Sequence, residues 1–400
     1  EAKNVDTGLS LQATTDAEGA YRLFNLPTGV YNLSASLEGF NPASRDGVRL
    51  ILGEAPTINF TLQLSTVSES ITVTSEAPLV EVTNTSNSTT IQTEQIAEIP
   101  INGREFRNLV LLTPESRFDS ERGNISLSGQ RGINTNVTVD GVDFNNAFFG
   151  GTVGGAEGRA PLSVSQESIK EFSVITNGAS VEFGRSGGGF VNVITKSGTN
   201  SLHGSAFYYD QPQSLISDFA NGAKPADQKR DQYGASLGGA FIKDKLFYFA
   251  SYDKQKRDLT VPIASNVLDA DIFAKYPVLA SPPAYVQTQD GSVLFGRLDF
   301  QASENQHFLI RYNNAKYDGV NGTSNAQTRT ESYNGVEGMN SKALVASWSS
   351  IWGSNLLNDL NINNIKEDTP RADKGSLLEV VRFAADAPDW LTRQLNRVQR

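Results

Sequence analysis

Gly184-Arg185-Ser186-Gly187-Gly188 satisfies G-x-S-x-G, the spacing of a hydrolase nucleophile elbow. That chemistry needs a strand before the serine, a helix after it, and an acid and a histidine further on. Here Gly189 and the β-type stretch Phe190 to Thr195 follow Ser186, so the helix is missing. The chain has only two histidines, His203 and His307, and both lie in alternating, strand-like segments. The cluster Gly184, Gly187, Gly188 and Gly189 therefore reads as a glycine-rich turn rather than a catalytic one. Asp140, Asp143, Asn145 and Asn146 offer oxygen ligands of the kind Ca²⁺ prefers, but their spacing is not that of an EF-hand loop. They read as turn residues. Arg104, Arg131 and Arg185 each stand next to or near glycines and read, on residue type alone, as solvated turn charges. With no cysteine for thiolate ligation, the pattern implies no metal and no cofactor.

The elements that carry these residues must suit an acidic chain. A formal net charge of −10 and a pI near 4.9 exclude nucleic acid, whose phosphates demand a basic surface. Mean hydropathy is −0.32, and no run approaches the ~20 apolar residues of a membrane helix. A transmembrane β-barrel looks like this too, because its strands alternate lipid-facing and lumen-facing side chains. Glu1 opens the chain without an initiator methionine or a secretory leader, and LTRQLNRVQR closes it without a recognisable strand, so the chain is expected to be a piece of a longer protein.

Residues 1–66 show short strands separated by Gly/Pro turns. Alternation runs through Val30 to Leu37 and again from Ile58 to Leu64, as in a small β-sandwich. The string TDAEGAYRLFNLPTGVYNLSASLEGF is similar to the carboxypeptidase regulatory-like domain, a transthyretin-like sandwich without peptidase residues. A polar linker, 67–78, follows. Within it Glu69-Ser70-Ile71-Thr72-Val73-Thr74 alternates β-branched residues in a flexible setting, which suits addition of a strand to a partner's sheet edge. It is either a plain linker strand or, by resemblance, a TonB box.

In residues 79–198, Gln95 to Pro100 reads as a short helix and Phe106 to Leu112 as a second. Strands are expected at Ile125 to Ser128, Val137 to Val139, Glu171 to Ile175 and Phe190 to Thr195. The ordered strings IPINGREFRNLVLLTP, SGQRG, VTVDGVDFNN and SIKEFSVITNGASVEFGRSGGGFVNVITKSGTNSLHG resemble the plug of Oar-like TonB-dependent outer-membrane receptors. The resemblance implies that Arg104, Arg131 and Arg185 pair with carboxylates on an inner barrel wall.

From 199 to 400 the pattern changes to long alternating strands. Tyr233, Leu237 and Phe241 share one face; Leu294 and Leu298 alternate with Arg297 and Asp299, and Phe308 and Ile310 with Arg311 and Asn313. About seven strands are expected, with long polar connections at about 254–291 and 314–341. A closed transporter barrel takes ~22 strands.

The expected fold is mainly β: a small sandwich, an α+β plug, and the first strands of an incomplete barrel. The resemblance implies no enzyme but a receptor of the Gram-negative outer membrane, with the sandwich in the periplasm. It would bind an unidentified extracellular ligand (siderophore, oligosaccharide or peptide/protein) and import it when TonB moves the plug, with outer-membrane lipid around it. The alternative is a surface carbohydrate-binding or adhesion protein, which predicts further sandwich repeats after the first.

Overall fold

The computed structural model describes residues 1–65, 71–72, 86–119, 123–146, 150–154, 162–179, 184–220, 222, 224–263, 271, 274, 282–322, 331, 334–353 and 356–373. Three main sheets follow one another along the chain.

The first contains β1 (Ala2–Asn4), β2 (Ser10–Leu11), β3 (Gly29–Ala35), β4 (Ala43–Leu50) and β5 (Ile71–Thr72), in the order β2-β1-β3-β4-β5. Alternation in β3 sends Tyr31 and Leu33 inward, where they meet Ala2 and Ile58 under a cover that includes Leu23, Leu26 and Phe60. The strand expected over Ile58 to Leu64 is a correction. Ile58 and Phe60 pack in this core, but the backbone makes only an isolated bridge, Phe40 to Leu64, because side-chain burial here proceeds without a ladder.

The central unit carries β6 (Asn87–Ile91), α1 (Thr93–Glu98), α2 (Phe106–Val110), the hairpin of β7 (Ser116–Phe118) and β8 (Ile125–Leu127), then β9 (Thr135–Val139), β10 (Val142–Asp143), β11 (Ile169–Asn177) and β12 (Gly189–Thr195). Its sheet runs β10-β9-β12-β11-β6, with β12 parallel to β9 and the other neighbours antiparallel. Helix α1 starts at a capping box between Gln92 and Gln95. Helix α2 buries Phe106, Leu109 and Val110, and the Phe106 ring meets Phe172 of β11 edge-on at 6.1 Å.

The third sheet is a wall of long antiparallel strands: β13 (His203–Gln211), β14 (Gln228–Ile242), β15 (Leu246–Pro262), β16 (Ala284–Ser303), β17 (Gln306–Val320), β18 (Gly335–Trp352) and β19 (Leu356–Asp368) in sequence order, with β20 (Arg371–Asp373) beside β18. It is open rather than closed among the described residues. Its outer face is apolar and exposed, with Tyr233, Leu237, Tyr252, Leu294, Leu298, Ile310 and Leu344 all outward. Its inner face buries Gln232, Ser251, Asp253, Gln255, Asp299, Arg311 and Asn313. Apolar residues such as Phe249, Val293, Phe295 and Tyr317 share that inner face; an exposed apolar outer face over an inner face that holds charged and amide groups fits a lipid-facing barrel wall.

The strands are longer than the polar composition suggested. The connections expected from about 254 and 314 begin instead after Pro262 and Val320, because Lys254 to Asp258 and Asn314 to Asp318 stay in the ladder. Their backbone groups are satisfied across strands, and Lys254 pairs with Asp290 on the next strand. No string of further sandwich repeats follows the first unit among the described residues, as the adhesion alternative required.

Candidate functional site between the central unit and the wall

The wall's inner face meets the central unit, and the contact is built around one carboxylate. Asp140 ends β9 and, with Gly141, turns the chain into β10; both have positive φ, +50° and +75°. Asp-Gly is the pair such a two-residue hairpin turn favours. The turn aims the Asp140 carboxylate at the wall, where Arg297 of β16 and Arg311 of β17 sit directly opposite each other. Arg297 Nη1 lies 3.2 Å from Asp140 Oδ1, and Arg311 Nε 3.2 Å from Asp140 Oδ2.

Two like charges facing across strands repel each other unless an anion lies between them. Asp140 is that anion. Asp299 adds a second carboxylate, 2.7 Å from Arg297 Nη2, and is approached by His307 Nε2 at 3.2 Å. The four charged groups Asp140, Asp299, Arg297 and Arg311 balance formally, and all four side chains are nearly buried.

Hydrogen bonds extend this contact along both units. Asp140 also accepts the Thr195 N–H and hydroxyl, at 2.9 Å each, so the carboxylate ties β10 and β12 together as well. Arg297 donates to the Thr195 hydroxyl at 2.8 Å, and Arg311 to the Val139 carbonyl at 3.2 Å. Asn313 donates to the Ser163 carbonyl at 3.2 Å, Gln255 to the Gly103 carbonyl at 3.3 Å, and the Ser165 hydroxyl to Asp253 at 3.1 Å. At the far side of the wall Asn146 donates to Glu367 at 2.8 Å. The apolar core of the central unit includes Ala343 of β18, with Ile365 of β19 packed against it. Leu162 likewise packs with Val293, Ala315, Tyr317 and Met339, so the interface combines apolar packing with polar contacts around a buried charge cluster.

The arginines singled out in the sequence occupy other places. Arg104 pairs with Glu167 of its own unit at 2.5 Å, and its guanidinium lies over Phe207 and Tyr209 of β13, 4.5 and 5.0 Å from the ring centres. It therefore touches the wall through aromatic faces and the Tyr209 hydroxyl, while its carboxylate partner is internal. Arg185 pairs with Asp143, also in the central unit, and is largely exposed. Arg131 is exposed at the start of the turn Gly132–Asn134. The expected polarity is reversed at the buried cluster: the carboxylate comes from the central unit and the arginines from the wall.

The glycine turn is structural. Among the described residues the Ser186 hydroxyl contacts only backbone groups: the Asn134 and Gly189 carbonyls at 2.7 and 2.6 Å, and the Gly188 and Gly189 N–H groups at 3.2 and 2.8 Å. Gly189 has φ +141°, and a Cβ there would lie 2.7 Å from the Ile175 carbonyl oxygen. Gly184 and Gly187 carry no such constraint. Asp143 is engaged by Asn145 as well as by Arg185, and the Asp140 carboxylate by arginines, so these oxygens serve the turn and the cluster rather than a cation. His203 contacts Thr199 and the Ser201 carbonyl in its own turn.

Of the strand-adding segment, Ile71 and Thr72 form β5, parallel to Ala43 and Ser44 of β4. Glu69, Ser70, Val73 and Thr74 lie outside the described residues.

Residues 1–63 match the family model of the carboxypeptidase regulatory-like domain, and residues 194–274 that of the outer membrane beta barrel domain. The chain is 31% identical over 254 residues to the TonB-dependent transporter Oar of Myxococcus xanthus, covering 60% of this chain and 23% of that protein. It is 30% identical over 210 residues to the probable TonB-dependent siderophore receptor PirA of Acinetobacter baumannii, covering 50% of this chain and 25% of that one. The chain therefore spans about a quarter of the length of the curated relatives it matches. Among solved structures, a mutant of the ferric enterobactin receptor PfeA of Pseudomonas aeruginosa superposes with a TM-score of 0.53 at 17% identity, over 73% of this chain and 42% of that one. The siderophore receptor PirA of Acinetobacter baumannii gives 0.50 at 21%, over 72% and 40%. The chain is a homologue of the TonB-dependent transporter Oar, matches the outer membrane beta barrel domain over residues 194–274, and has a fold similar to that of TonB-dependent receptors.

Proposed function

We propose that the chain is part of a TonB-dependent outer-membrane receptor, in which residues 79–198 are the plug and the strand wall is the start of the barrel. The receptor binds an extracellular ligand and imports it when TonB displaces the plug. The observation that carries this reading is the charge cluster of Asp140 with Arg297, Arg311 and Asp299. It holds the central unit against the inner wall through groups that must separate together. Because the cluster is balanced and buried, removing one partner leaves an uncompensated buried charge and is costly.

Residues 69–74 are proposed as the docking strand for TonB. Ile71 and Thr72 already add to a sheet edge in this chain, and in this reading TonB draws the segment off β4 as it docks. The sandwich is then a resting place for that strand. The test is binding of the periplasmic domain of TonB to the full-length receptor, with wild-type Ile71 and with Ile71→Pro, which deletes a ladder donor. Retained binding by the proline variant would refute the docking strand. Ligand uptake that does not depend on TonB would refute the transport reading.

A further inference from the structure

The first unit meets the wall at the end of its short turns. Asn200, between β12 and β13, donates its N–H to the Asp6 carbonyl at 2.9 Å. Its side chain holds the β14–β15 turn, donating to Asp244 Oδ1 at 2.7 Å and accepting the Asp244 N–H at 2.8 Å. Gly8 of the first unit packs on that same carboxylate, where a Cβ would collide with Oδ1. At a second point Asn25 donates to Asp359 Oδ1 at 3.3 Å, just past the β18–β19 turn. From β15 through β16, β17 and β18 to β19 is four strand spacings, about 19 Å. The unit therefore bridges the inner side of the wall.

The same unit also covers an edge of the central sheet. Thr90 of β6 donates to the Leu52 carbonyl at 3.1 Å. Ser173, its cross-strand partner on β11, lies beneath Gly53, whose Cβ position is 3.8 Å from the Ser173 hydroxyl. Arg49 pairs with Glu94 of α1 at 2.8 Å, and Lys170 reaches the Thr28 carbonyl. The Ser173 and Thr28 hydroxyls are buried with no hydrogen-bond partner among the described residues. A contact made of single polar bonds, with polar groups left unpaired, regains water when it parts, and small polar contacts between units are the kind that separate.

We propose that the first unit is a lid. It closes over the short-turn face of the central unit, is latched at Gly8–Asp244 and Asn25–Asp359, and swings aside before anything leaves the barrel on that side. Short turns face the periplasm in outer-membrane barrels, so in the receptor reading this end is the exit, and moving the plug alone does not clear it. Residues 69–74 follow the lid directly in the chain, so a pull on them loads the lid as well as the plug. The inference rests on the receptor reading only in taking the short-turn end as the exit.

The test is thiol labelling of the full-length receptor, in detergent, with a polymer-linked maleimide too large to enter a closed interface. The chain has no cysteine, so with any elsewhere in the receptor replaced by serine, Ser173→Cys supplies a lone thiol and costs no hydrogen bond. It should react at least about tenfold more slowly than Glu18→Cys, which sits in an exposed turn. Gly8→Asp unlatches the lid: Asp tolerates the φ of +69° but sets a second carboxylate against Asp244. Labelling at Ser173→Cys should then rise about tenfold or more. Adding Asp244→Gly should return it to the parent rate, because glycine keeps the left-handed turn at 244 and removes the opposing carboxylate. Fast labelling in the parent, or a rate that Gly8→Asp leaves unchanged, overturns the lid. A rise that Asp244→Gly does not reverse also overturns it, since that rise reports misfolding and not release. The labelling contains no TonB, so failure of TonB to bind would sink the docking strand and leave this result standing.

Discussion

At Asp140 a single residue meets two demands. It must accept a left-handed backbone, which Asp tolerates better than most side chains, and it must present a full negative charge to two arginines. Asp140→Asn separates these demands. The amide keeps the turn, but Arg297 and Arg311 are left with Asp299 alone, and a buried positive charge goes uncompensated. We expect a loss of about 3 kcal/mol in the stability of the central unit against the wall, read as a lower urea midpoint for the full-length receptor. Arg185→Gln is the contrast: its pair with Asp143 is largely exposed, so the same measurement should move by less than about 1 kcal/mol. Equal effects of the two substitutions would mean that burial does not set the strength of these contacts. The sequence shows Arg297, Asp299 and Arg311 alternating with lipid-facing residues, so their inward direction is legible. That Asp140 is their partner is not, because nothing local joins residue 140 to strands more than 150 positions away. The one available signal was that two arginines would oppose each other in a hairpin register and so need an anion.

Elements were more legible than contacts wherever a periodicity was long. Period-two alternation marked the wall strands and the side each residue faces, and a helix with Pro100 beyond it marked α1. Strand ends were less legible, since polar residues continue the ladder as long as their backbones are paired. One close approach sets how the chain passes from the central unit into the wall. A Cβ on Gly198 would lie 2.2 Å from the Gly239 carbonyl oxygen and 2.4 Å from that of Tyr248. Gly198→Ala should therefore push β14 and β15 away from the crossing, costing about 1–3 kcal/mol through overpacking. Gly184→Ala meets no atom within 4 Å and should cost less. Comparing the yield of folded receptor for the two variants tests whether the crossing or the glycine count matters. At β5 the expected outcome concerns order of events. If Ile71 and Thr72 rest on β4, then Ser44→Pro on the receiving strand should free the segment and strengthen TonB binding, whereas Thr72→Pro should weaken it. Weaker binding in both would show that the resting position assists docking instead of competing with it.

Across the whole molecule, the first unit is joined to the central unit by few polar contacts among the described residues, and one of them titrates. Lys170 on β11 donates to the Thr28 carbonyl of the first unit at 2.6 Å. Burial pushes its ammonium below the ordinary lysine range, opposed by Glu171 and Asp6 and reinforced by Arg297 and Arg49. A base whose value is lowered on docking holds more protons when the units are apart. Docking therefore strengthens as pH rises from the lowered value toward about 10.4, the ordinary lysine value, and the penalty is fully present below that window. Lys170→Met removes the titrating group and should flatten this part of the profile, even as it deletes the hydrogen bond to Thr28. The measurement is protease protection of the first unit as a function of pH. Protection that falls on raising the pH, or a slope unchanged in Lys170→Met, would mean that burial of Lys170 does not control how the first unit sits. The consequence reaches the proposed gating. Lys170 anchors Thr28, β3 follows it, and β4 carries the edge on which Ile71 and Thr72 rest. A looser first unit should release that strand more readily, so TonB binding should be stronger at the acid end of the window than at the alkaline end, and this difference should vanish in Lys170→Met.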